Sequence, residues 1–187
     1  MKTKNMSKSV KCTAIILLAL LTLCIGCSSI RINSKHYTSG RILLLPPRDV
    51  VQNGISHPKG VGSGSIFQDR LKNSFAGSVF DVVTTGNKNL NNTEVADKEV
   101  ALEEAKGMNA DYCLQIVLGE FLNAAPMTFR PDYVYLDNAI MYDVKTGETV
   151  WALIKPIYRE KSNLGNHLSL LSSHAQIISK SIIKNMK

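Results

Sequence analysis

The segment Gly60-Val61-Gly62-Ser63-Gly64-Ser65 holds the residue types in this sequence best suited to binding a ligand. Small residues let a backbone turn several amides toward one point, and a helix that follows presents further free N–H groups. Gly60, Gly62, Ser63, Gly64 and Ser65 therefore form a candidate anion site. The segment lacks the Gly-Lys-Ser/Thr ending of a nucleotide phosphate loop, and it follows a long polar stretch rather than a strand. A flexible turn that caps a helix is the favoured reading, because Gly and Ser commonly serve both roles. The histidines are His36, His57, His167 and His174. His167 and His174 could share a helix face, but no further ligands accompany them at metal spacing, so no metal is expected. Cys113 lies within an apolar strand pattern and is expected to be a buried, inert thiol. Asp132, Asp137 and Asp143 share one hairpin pattern, with Asp143 assigned to its turn. Asp137 would share a strand face with Tyr133, Tyr135 and Met141. That face is either an exposed aromatic patch for a partner or packed under a helix, and packing is expected because large apolar side chains are usually core. No catalytic constellation and no cofactor site emerge.

The N-terminal stretch carries a different chemistry. Lys2, Lys4, Lys8 and Lys11 precede an apolar run from Thr13 to Ile25. The run is shorter than the roughly 20 residues that a membrane-spanning helix needs. A basic segment followed by a short apolar one is the pattern of a secretory signal peptide. Its end, Cys24-Ile25-Gly26-Cys27, resembles the lipobox of bacterial lipoproteins, with Cys24 in the place of the usual Leu. The resemblance implies cleavage between Gly26 and Cys27, and acylation of Cys27. Cys24 is the poorer acceptor because Leu23 precedes it where a small residue is wanted. An uncleaved N-terminal anchor is the alternative. Ser28 after the cysteine, by resemblance to enterobacterial sorting, implies the outer membrane. Two or more acyl chains anchor a protein stably, so the membrane is an expected partner without any spanning helix. The expected organisation is a leader over residues 1–26, a lipidated tether over 27–40 and a single periplasmic domain over 41–187.

Removing the leader changes the bulk properties. The whole chain carries a formal charge of +7, but four of its 22 basic residues leave with the leader, and 18 remain against 15 acidic ones. A net +3 gives little electrostatic reason to expect nucleic acid. Cys12 and Cys24 leave too, and acylation uses Cys27, so Cys113 keeps the one free thiol and no intrachain disulfide is available.

The remaining pattern reads as alternating elements. Arg41 to Leu45 is a compact apolar run stopped by Pro46-Pro47, which suits a buried strand. Residues 48–64 read as loop. Ser65 and Gln68 match a capping box, and Phe67, Leu71 and Phe75 fall on one helical face with Gly77 as the stop. Val79 to Val83 is a strand, Gly86 to Asn92 a loop, and Asp97 to Lys106 a helix. Asp111 to Leu122 alternates as a strand, with a loop over Asn123 to Pro131. Tyr133 to Val144 and Glu148 to Tyr158 form a hairpin around Asp143-Val144-Lys145-Thr146-Gly147, with an edge or bulge at Pro156. Leu168, Leu171, Ala175, Ile178 and Ile182 mark a C-terminal amphipathic helix. The order β-α-β-α-β-β-β-α predicts an α/β (α+β) domain, a mixed sheet with helices packed on it.

Three segments in this order resemble a family of proteobacterial lipoproteins of unknown function. They are His57-Pro-Lys-Gly-Val-Gly-Ser-Gly before a helix, Ala110-Asp111-Tyr112 opening a strand, and Tyr142-Asp143 to Thr146-Gly147 closing a hairpin. In that family the strand after Ala-Asp-Tyr often ends in an acidic-aromatic segment, and Glu120-Phe121 stands there. The topology is more distantly similar to domains of curli-secretion lipoproteins, of peptidoglycan-synthase activator lipoproteins and of the Tol-system propeller protein. The resemblance implies a non-enzymatic outer-membrane lipoprotein whose domain binds a protein partner in the cell envelope. The alternative is a lipid-anchored hydrolase or anionic-ligand-binding protein using the Gly60–Ser65 loop. Assembly into a ring or pore is a third reading, which the lack of an evident long membrane hairpin disfavours.

Overall fold

The computed structural model describes residues 32–85, 97–122, 132–161 and 167–186. The strands are β1 (Ile32–Ser34), β2 (Gly40–Leu44), β3 (Val51–Gln52), β4 (Ile55–Ser56), β5 (Phe80–Thr84), β6 (Tyr112–Leu122), β7 (Asp132–Asp143), β8 (Thr149–Leu153) and β9 (Ile157–Lys161). The helices are α1 (Ser63–Ser74), α2 (Lys98–Gly107) and α3 (His167–Asn185), with a 3-10 turn at Pro58–Gly60. The strand order is β1-β8-β7-β6-β2-β5. β2 lies parallel to both β5 and β6, whereas β6, β7 and β8 run antiparallel. The expected class, a mixed sheet with packed helices, is what forms.

Helices cover both faces. Ile42 and Leu44 of β2 point into the larger core with Phe67, Leu71 and Phe75 of α1 and Leu171, Ala175, Ile178 and Ile182 of α3. Leu43 and Leu45 point the other way, against Ala101 and Ala105 of α2, Cys113 and Val144. A strand sandwiched between two layers must be apolar at consecutive positions, which is why Ile42 to Leu45 shows no alternation. The Asp143–Gly147 turn closes the β7–β8 hairpin as expected. The Asp143 carboxylate accepts from the Thr146 amide at 2.8 Å and the Thr146 hydroxyl at 3.1 Å.

Several expectations need correction. Residues 32–40 do not serve as tether. β1 pairs antiparallel with β8, and Tyr37 is buried with its hydroxyl donating to the Ile182 carbonyl at 2.6 Å. The polar composition of this stretch hides one aromatic anchor and backbone groups that complete a sheet edge. Within the expected loop 48–64, β3 and β4 form a small hairpin. Its Asn53-Gly54 turn has φ of 52° and 72°, the left-handed pair that such turns require. The Ser65–Gln68 capping box does not form: α1 begins at Ser63 with Gly62 as its N-cap. The strand expected over Glu148–Tyr158 is broken at Ile154-Lys155-Pro156 into β8 and β9. The expected loops Gly86–Asn92 and Asn123–Pro131, and the proposed leader with Gly26 and Cys27, lie outside the described residues.

Candidate functional site

The Gly60–Ser65 segment is built around an internal carboxylate. Asp49 accepts from the amide of Gly62 through Oδ2 and from that of Gly64 through Oδ1, both at 2.8 Å. Ser63 is buried, and its hydroxyl accepts from the Val50 amide at 2.8 Å. The small residues answer to close backbone approach. A Cβ on Gly64 would sit 2.1 Å from the Pro47 carbonyl oxygen, and one on Gly60 would sit 2.5 Å from that of Val50. Gly62 has φ of 81°, a conformation that L side chains rarely adopt. Ser65 is exposed on the first turn of α1. The amides that would hold an external anion thus already hold Asp49, which packs residues 47–50 onto the helix start.

The other sequence candidates are placed in separate parts of the fold. His36 is exposed. His57 caps the 3-10 turn, its Nδ1 accepting from Lys59 at 3.2 Å, and meets the Phe121 ring edge-on. His174 is buried on α3 with Nε2 2.9 Å from the Val134 carbonyl oxygen. The side chains of His167 and Asp132 lie outside the described ones. Cys113 is buried beneath α2 with its thiol 3.6 Å from the Ala101 carbonyl oxygen. Burial, and secondarily the Glu104 carboxylate, push its pKa up to about 12, which disfavours the thiolate form. Among the described residues no three His, Cys, Asp or Glu side chains converge as a metal site. No described helix is long and apolar enough to cross a membrane.

What the fold does assemble is an aromatic cluster. Val134, Leu136, Ala139 and Met141 of β7 are buried in the larger core. Tyr133 and Tyr135 take the opposite face and are half-buried. β9 pairs with this part of β7, setting Tyr158 directly across from Tyr135. Ring centroids are 5.0 Å apart for Tyr135 and Tyr158, 5.5 Å for Tyr133 and Tyr135, and 5.7 Å for Tyr133 and Tyr158. Tyr158 remains 42% exposed. On this side of the sheet α2 packs over Leu43, Leu45, Cys113 and Val144, leaving the tyrosines outside its footprint. The aromatic face is therefore partly open, where packing under a helix had been expected.

A double irregularity borders the cluster. The β6–β7 register shifts between Val117 and Leu118 and again between Leu118 and Phe121. Asp137 is the residue passed over on β7, and this bulge resets the alternation so that Met141 joins the core instead of the tyrosine face. The Asp137 carboxylate folds over Gly119, where a Cβ would lie 2.3 Å from its Oδ1. Desolvation holds the Asp137 pKa above the usual carboxylate range, with Glu120 adding to the effect and Arg48 opposing it. Tyr158 was not singled out from the sequence. Extending the tight hairpin pairing of Tyr142 with Thr149 would set Pro156, not Tyr158, across from Tyr135, and the bulge after Met141 and the kink at 154–156 account for the difference.

The Ala110-Asp111-Tyr112 segment proves structural. Asp111 accepts from the Arg41 amide at 2.7 Å, and the Tyr112 hydroxyl accepts from the Thr38 amide at 3.2 Å. Both pin the start of β6 to the chain entering β2.

No family model matches this sequence, and no curated protein matches it. Solved structures do. The chain is similar to the PelC dodecamer from Paraburkholderia phytofirmans, at 18% identity and a TM-score of 0.59, over 83% of this chain and 96% of that one. Lipoprotein GNA1162 from Neisseria meningitidis shares 13% identity over 77% of this chain and 98% of its own, with a TM-score of 0.48. The LpoB C-terminal domain from Salmonella enterica shares 16% over 68% of this chain and 88% of its own, with a TM-score of 0.43. At the level of fold, this chain is similar to PelC, a mixed sheet with helices packed on it.

Proposed function

We propose that this chain is an envelope lipoprotein, cleaved after Gly26, acylated at Cys27 and held at the outer membrane, whose non-enzymatic domain docks a protein partner through its tyrosine face. The observation that carries the reading is the cluster of Tyr133, Tyr135 and Tyr158 on a partly open sheet face. Tyrosine supplies a large, stiff contact area with few rotatable bonds, and it is enriched where proteins bind one another. Asp137 follows Tyr135 by two positions on β7, with both Arg48 and Glu120 acting on its carboxylate, so the rim offers charges of both signs for polar contacts. Two of the other candidates are taken up within the fold: the loop amides hold Asp49, and Cys113 is buried. PelC is described as a dodecamer, so a protein interface has a precedent on a similar fold.

A photocrosslinking side chain at position 135, in the lipidated protein within its own envelope, tests this. The expected result is a discrete adduct with an envelope protein from position 135 and none from Ile55, which is 71% exposed at the tip of the β3–β4 hairpin. Trp151 is unsuited as a probe site because it is buried with Nε1 donating to Ser181. No adduct from position 135 above that from position 55 overturns the docking face. An adduct between two copies would assign the face to self-assembly instead.

A further inference from the structure

Two features of the chain meet at one corner of the sheet. The β1–β8 pairing sets Ile32 opposite Leu153. Directly after Leu153 the strand breaks at Ile154-Lys155-Pro156 before resuming as β9. Proline has no N–H for the ladder, so a break here follows from the sequence. All three residues are exposed, Ile154 by 53%. A branched aliphatic side chain followed by a cation is the composition of an interfacial contact. The apolar group enters the headgroup–acyl boundary, and the lysine keeps its ammonium among the phosphates. The exposed aliphatics Ile55, Val61, Val79 and Val100 are elsewhere in the chain, on segments paired with neither β1 nor β8.

Chain length limits how far this corner lies from Cys27. Ile32 is the fifth residue after Cys27. Five extended residues reach about 17 Å at most. Acylation of Cys27 would fix that residue at the bilayer surface, so Ile32 is confined to a shell of that depth and the kink, across one strand spacing and a residue further on, lies within roughly 10 Å more. A tether this short raises the effective concentration of membrane around the kink, and a contact too weak to bind alone becomes populated.

We propose that the Ile154-Lys155-Pro156 kink rests on the phospholipid bilayer, with Ile154 at the headgroup–acyl boundary and Lys155 among the phosphates. The proposal depends on acylation of Cys27. Contact here would fix the orientation of the domain on its anchor, and with it the direction in which the β7–β9 face is presented.

Depth-dependent quenching tests it. Ile154→Cys and, as reference, Ile55→Cys are made in the full chain, matured in the cell envelope and labelled with a fluorophore. The proteins are reconstituted into phosphatidylethanolamine–phosphatidylglycerol vesicles carrying a nitroxide near the headgroup end of the acyl chain. Cys113 is buried and does not compete for label. The expected result is protein that floats with the vesicles and a label at position 154 quenched severalfold more than one at position 55. Floating protein with equal quenching at the two positions overturns the membrane contact and leaves the anchor standing. Protein that does not float overturns both. Adding Lys155→Glu is expected to reduce quenching at position 154, and unchanged quenching would remove Lys155 from the contact.

Discussion

Asp49 decides how the Gly-Ser segment behaves. Its two oxygens satisfy two of the amides that a helix start leaves without partners. Asp49→Ala is expected to destabilise the protein by about 1–2 kcal/mol in urea titration, the range for loss of a helix cap or a charge-assisted hydrogen bond. Gly64→Ala drives a methyl into the Pro47 carbonyl and should cost about 1–3 kcal/mol, as overpacking of rigid backbone does. Were the segment instead an open ligand loop, both variants would unfold at the wild-type urea concentration. Asp137 tests the bulge. Desolvation raises its folded pKa above the unfolded value, so its ionisation costs the folded state stability at neutral pH. The cost disappears as pH falls below the ordinary carboxylate range. Asp137→Asn should therefore raise the urea midpoint near neutrality and leave it unchanged in acid. The roles of Cys113 and Asp143 were legible from local pattern, because burial and turn chemistry are local. Asp49 was not, because its partners are 13 and 15 positions away.

β1 and Tyr37 illustrate what pattern reading misses in whole elements. Three polar-flanked residues make a poor strand by composition, yet they cover the outer edge of β8, which would otherwise leave unpaired backbone groups. Tyr37 then ties this segment to α3 through the Ile182 carbonyl. Tyr37→Phe is expected to cost about 1–2 kcal/mol for that buried hydrogen bond. A chain beginning at residue 41 loses the whole ring as well and should be destabilised by about 3–5 kcal/mol or more, read as a fall in the thermal midpoint. If a chain from residue 41 melts like one from residue 31, the segment is a tether after all. The β2 run, the α1 face of Phe67, Leu71 and Phe75, and the β7–β8 turn were legible because each is a strong local period or turn signal. The β3–β4 hairpin was missed and falls within the expected loop: Asn53-Gly54 suits its turn, but strands of only two residues leave no period to read. The pairing of β7 with β9 was not legible, since two irregularities intervene between the turn and Tyr158.

In the molecule as a whole, the layers are explained by packing, and the two faces of β7 divide the labour. One face, with Val134, Leu136 and Met141, closes the core, and the other presents the tyrosines. The similarity to PelC concerns this architecture, and a shared fold does not carry function with it. On the proposed reading, acylation of Cys27 joins the domain to the envelope, and the charge balance of the mature chain, its single free thiol and the proposed membrane contact at the kink all rest on it. Metabolic labelling with an alkyne fatty acid measures this directly. The expected result is a labelled, shortened wild-type protein, and a Cys27→Ala variant that takes up no label and keeps its leader. A Cys27→Ala variant that is still labelled and still shortened would contradict it.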